Sequence, residues 1–103
     1  MSDQAVETRV TNNADKSRYE LFYGGELAGF AEYVETGDRA DFVHTEIDKA
    51  FGGKGLGGVL AKGALDDATA RGKAIVTTCP FIKGYVDKHP EYDPNVVGKG
   101  LPG

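Results

Sequence analysis

Apolar and polar residues alternate along the first half of the chain, and from about residue 56 the apolar positions recur every three to four residues. Val6-Glu7-Thr8-Arg9-Val10-Thr11 has the period of two that marks a half-buried strand. Asn12 to Lys16 is a polar turn, and Arg18 to Tyr23 reads as a second strand. Gly24-Gly25 supplies the positive φ angles of a tight hairpin. Leu27 to Glu35 forms a third strand, ended by Thr36-Gly37-Asp38, and Arg39 to Asp48 a fourth. Consecutive strands joined by short turns predict an antiparallel meander.

Beyond Asp48 the period changes. Leu56, Leu60, Ala64 and Ala68 fall on one helical face, widened by Val59, Ala61 and Leu65, with Lys62, Asp66 and Thr69 opposite. Gly72 ends this helix. The β-branched run Ala74 to Thr78 suits a buried strand, and a strand–helix–strand unit of this length implies a parallel pair with a right-handed crossover. Pro80 opens a last helix to Lys88, with the pairs Phe81/Tyr85 and Ile82/Val86, and Pro90 stops it. The expectation is an α+β chain with five strands and two helices. It forms one domain over 1–103, with its core at about 5–92 and an irregular tail at 93–103.

Composition narrows the picture. Hydrophobic residues make up 40% of the 103 and charged residues 27%, as in an ordinary globular domain. A net charge of −4 with no cluster of Lys and Arg argues against nucleic-acid binding. No apolar run approaches a membrane span, and Met1-Ser2-Asp3-Gln4 lacks the pattern of a secretory leader, so a cytoplasmic protein is expected. The single cysteine, Cys79, excludes an internal disulfide, and His44 and His89 lack metal-ligand spacing.

The candidate chemistry begins at Gly52-Gly53-Lys54-Gly55-Leu56-Gly57-Gly58, where a glycine loop opens a helix. Such a start presents unpaired backbone N–H groups and the positive end of the helix dipole, which suits phosphate, and Lys54 adds a charge. The Walker pattern does not fit. Gly53, Gly55 and Gly58 match the dinucleotide spacing, but a meander precedes them and no acidic residue follows at the expected strand end. A nucleotide- or dinucleotide-binding module therefore stays open as a weaker alternative.

The residues His44-Thr45-Glu46-Ile47, Gly53-Lys54-Gly55-Leu56-Gly57, Ala64-Leu65-Asp66-Asp67-Ala68, Arg71-Gly72, Cys79-Pro80-Phe81, Tyr85 and His89-Pro90-Glu91-Tyr92 follow one another in this order. Together they resemble the small single-domain members of the GNAT superfamily of N-acetyltransferases that carry a Cys-Pro-Phe motif. The resemblance spans about residues 5–92 and implies a GNAT-like fold: a mixed, mostly antiparallel five-stranded sheet with a splayed parallel strand pair and two helices. It implies acetyl-CoA as cosubstrate, an amine acceptor, and a pyrophosphate cradle of Gly53, Lys54, Gly55, Leu56, Gly57 and Gly58. Strand 39–48, through Val43, Thr45 and Ile47, would hold the pantetheine arm. Gly52 stands where the family usually has Arg or Gln, which leaves backbone amides and Lys54 to hold the phosphates.

Strand alternation places Phe42, His44 and Glu46 on one face and Val43, Thr45 and Ile47 on the other. His44 or Glu46 is a candidate base for the amine, or else a solvated or mutually hydrogen-bonded pair. Cys79, at a helix start, is a candidate acetyl acceptor or a small buried hydrophobe. The expected fold also brings it beside the strand of His44. Tyr85 is a candidate donor to the leaving thiolate or a core aromatic paired with Phe81. Asp67 and Arg71 read as a structural pair. An acyl-CoA-binding or interaction module without turnover is the alternative to an enzyme.

Overall fold

The computed structural model describes residues 6–98. Residues 1–5 and 99–103, the two ends of the expected domain, lie outside the described residues. Four strands, β1 (Thr8–Asn13), β2 (Arg18–Tyr23), β3 (Glu26–Thr36) and β4 (Arg39–Ile47), form the antiparallel meander. Helix α1 (Leu56–Ala70), strand β5 (Ala74–Thr77) and helix α2 (Pro80–Asp87) follow. β5 pairs parallel with β4, as the crossover length requires.

Among the described residues the sheet has six strands, not five. The tail expected to be irregular makes a 3-10 helix, Pro90–Asn95, and then β6 (Val96–Gly98), which adds parallel to the far edge of β5. Three residues rich in valine satisfy an exposed sheet edge, and a run this short carries no periodicity of its own.

One hydrophobic core lies between α1, α2 and one face of the sheet. Leu60, Ala64, Leu65, Ala68, Ile82 and Val86 pack there against Tyr19, Leu21, Phe42 and Ile75, all fully or almost fully buried. Val59 is not part of this stripe and stays exposed. The small residues of α1 let it approach the sheet closely: a Cβ on Gly63 would sit 2.7 Å from the Cβ of Val10. The C-terminal end of α1 is fastened by a polar cluster. Tyr19 Oη donates to Asp67 at 2.7 Å, while Arg71 donates to Tyr19 Oη at 2.8 Å, to Glu35 at 2.6 Å and to Asp67 at 3.1 Å. The Asp67–Arg71 pair is thus structural, and it extends across the sheet. No helix among the described residues is long and apolar enough to cross a membrane.

Candidate functional site at the parting of two parallel strands

β4 and β5 stay together for only four residues, Arg39–Phe42 against Ala74–Thr77. One more rung follows, where the Cys79 N–H donates to the Phe42 carbonyl at 2.7 Å. The next residue is Pro80, which has no N–H to continue the ladder and which starts α2. The chain therefore turns away, and β4 runs on from Val43 to Ile47 with no strand among the described residues beside it on that edge. Backbone N–H and C=O groups on such an edge are available to an extended ligand.

β4 leads directly into the glycine loop. The Asp48 N–H donates to the Ala28 carbonyl at 2.8 Å, and its carboxylate caps a 3-10 turn at Lys49–Phe51 by accepting from the Ala50 N–H at 2.9 Å. Gly52 is extended and its N–H is spent on the Lys49 carbonyl. Gly53 and Gly55 have φ of 79° and 71°, a region that side-chain-bearing residues rarely enter. Gly55 is the N-cap of α1, and no side chain caps it. The first-turn amides of α1 are thus presented by backbone alone. The Lys54 ammonium lies 5.4 Å from the centre of the Tyr23 ring.

Beside this helix start lies an open groove of about 400 Å³, lined by Gly58 of α1 and by Pro80, Phe81, Gly84, Tyr85, Lys88 and His89. Glycines make the two helices fit. A Cβ on Gly57 would meet the Phe81 ring at 2.7 Å, and one on Gly58 would touch Tyr85 at 3.9 Å. Strand edge, amide-lined helix start and groove are contiguous along the chain segments that build them.

The family model for GCN5-related N-acetyltransferases matches residues 18–95, about three quarters of the chain. The chain belongs to the GCN5-related N-acetyltransferase family. The solution structure of a GCN5-like protein from Staphylococcus aureus has the same fold, with a TM-score of 0.62 over 99% of this chain and 94% of its own, at 20% identity. The curated protein sequences contain no significant match. The family is one of acetyl transfer, and its sheet, splayed strand pair and glycine loop are all present here.

In this GCN5-related domain the candidate catalytic side chains are not gathered on one face. Phe42 pairs with Tyr33 and His44 with Glu32, so Val43 has no partner and forms a bulge. The extra residue shifts the alternation by one position. Phe42 faces the helices, and so do Thr45 and Ile47, which follow the bulge. His44 and Glu46 turn to the helix-free face, contrary to the simple alternation that grouped them with Phe42. There the His44 Nε2 and a Glu46 carboxylate oxygen are 2.7 Å apart, both half exposed, with the His44 ring beside Phe30.

Cys79 is 3% exposed, and its Sγ lies 3.4 Å from the Thr45 hydroxyl on the helix-covered side. The neighbourhood of Cys79 and His44 expected from adjacent strands is therefore not formed; the bulge sends the imidazole to the other face. Tyr85 does not pair with Phe81. It stacks on His89 with ring centres 3.9 Å apart, and the His89 Nδ1 donates to the Tyr85 carbonyl at 2.7 Å. Partial burial raises the Tyr85 pKa. Pro80, Phe81, Gly84, Lys88 and His89 line the groove although nothing in their spacing marked them as site residues. The signal available was Gly84 itself, a glycine in the middle of a helix with no turn to make.

Proposed function

We propose that this domain moves an acetyl group from acetyl-CoA to an amine. The observation that carries this reading is the parting of β4 and β5 at Phe42 and Thr77, immediately beside a helix start whose amides no side chain caps. An extended pantetheine arm suits the free edge of residues 43–47, and a pyrophosphate suits the first turn of α1. The donor set fits the ligand: backbone amides, a glycine-lined groove and no carboxylate among the residues lining it.

In the reaction the amine nitrogen bonds to the thioester carbonyl carbon, the C–S bond breaks, and coenzyme A leaves as a thiolate that takes up a proton. The His44–Glu46 pair is suited to take the proton of an amine arriving over the helix-free face. The proton the amine gives up balances the one the thiolate takes up, so the step needs no further reactant. The burial of Cys79 favours direct transfer over an acetyl-cysteine intermediate.

Calorimetry with acetyl-CoA, followed by thiol release across a panel of amines, tests the proposal. Saturable binding with turnover on at least one amine is expected, and Cys79→Ala should keep the rate. No binding at millimolar acetyl-CoA would sink the whole reading. The bulge keeps His44 and Glu46 from Cys79, so the reading needs no Cys79–His44 pair, and a binding module without turnover is the alternative. Tight binding without turnover on any amine would select that alternative.

A further inference from the structure

We propose that Lys88 selects the 3′-phosphate of the coenzyme, so that the groove between α1 and α2 discriminates coenzyme A from its 3′-dephospho form. The inference rests on the coenzyme A reading above and adds a residue and a ligand group to it.

Lys88 stands one helical turn beyond Tyr85, so both line the same side of the groove. Tyr85 in turn faces Gly58, in the first turn of α1, where the pyrophosphate is placed. The three other lysines of the glycine loop and the two helices are occupied. Lys62 is paired with Asp66 at 2.7 Å and Lys83 with Asp87 at 3.2 Å, while Lys54 lies over the Tyr23 ring. Among the described residues no hydrogen bond or ion pair engages the Lys88 ammonium, and it is the only cation lining the groove apart from any charge on His89.

Its backbone is fixed. The Lys88 N–H donates to the Tyr85 carbonyl at 3.1 Å, and the next residue, His89, is locked in its stack on Tyr85. A held base with a free ammonium matches a phosphate dianion carried on a ribose next to the pyrophosphate. A lysine at a helix end also complements the helix dipole. That role acts on stability and is blind to the ligand, so a ligand ratio separates the two.

The test is calorimetric titration of the full chain with coenzyme A and with 3′-dephospho-coenzyme A, which share the pyrophosphate and the arm. The wild type should prefer coenzyme A by about tenfold at low salt, the scale of one charge-assisted contact, and the preference should shrink as salt is raised. Lys88→Gln should bind both ligands with the affinity the wild type has for the dephospho form. Lys88→Arg should restore the preference, and Lys83→Gln should leave it unchanged. Equal affinities in the wild type, or an unchanged ratio in Lys88→Gln, would overturn the assignment while leaving the coenzyme A reading intact. Failure of both ligands to bind the wild type would remove that reading and this one with it.

Discussion

Gly29 sits in β3 opposite Ile47, the last residue of β4 before the glycine loop. A Cβ there would fall 2.5 Å from the Glu46 carbonyl oxygen, 2.6 Å from Ile47 Cδ1 and 3.2 Å from Ile47 Cα. The Ile47 methyl can rotate away, but the carbonyl cannot move unless the strand moves. Gly29→Ala therefore pushes the end of β4 off β3. Overpacking of this kind costs about 1–3 kcal/mol, and removing a strand glycine returns at most about 1 kcal/mol. With a backbone atom at 2.5 Å the cost falls at about 2–3 kcal/mol, so the net loss is about 1–2 kcal/mol, or roughly 5–15 °C in Tm for a domain of this size. Thermal unfolding followed by circular dichroism measures it. Because Asp48 is anchored to the Ala28 carbonyl, acetyl-CoA affinity should fall as well. Ile47→Val in the Gly29→Ala background removes the side-chain clash and keeps the backbone one, so it should recover only a minor part. A Tm within about 2 °C of wild type, or full rescue by Ile47→Val, would refute the backbone argument.

Gly84→Ala should separate stability from binding. Nothing lies within 4 Å of the added Cβ, so the helix gains about 0.5–1 kcal/mol and Tm rises, while the methyl narrows the groove and weakens acetyl-CoA binding; a fall in Tm would mean the space is not there. The acid limb of stability should depend on Asp66. Burial pushes its carboxyl up, but hydrogen bonds from Lys62 at 2.7 Å and Tyr92 at 2.6 Å outweigh this and hold it below its ordinary 3.8. A lowered carboxylate contributes stability that is fully present above the ordinary value and lost as pH falls through the folded one. Asp66→Asn should therefore lower stability at pH 7 and flatten its decline below about pH 4; because the carboxylate is half exposed the effect is small, and an unchanged pH profile of urea unfolding would contradict it.

The sequence alone determined the elements, because helix and strand periods are local properties. The meander, the helix opened by Gly55 and the Pro80 helix start all lie where pattern and turn chemistry place them. The glycine loop and the family were legible for the same reason: each is a run of neighbouring residues. Tertiary structure decided what runs of neighbours cannot encode. The Val43 bulge is set by how β4 registers on β3, and one slipped residue moved His44 and Glu46 to the open face. The sixth strand exists because the edge of β5 was free to pair with a segment too short to show a pattern. The Tyr19–Asp67–Arg71–Glu35 cluster joins residues far apart in the chain. The groove that Lys88 overlooks is likewise the space between two packed helices. It has a shape only once Gly57 and Gly58 have let Phe81 and Tyr85 come close.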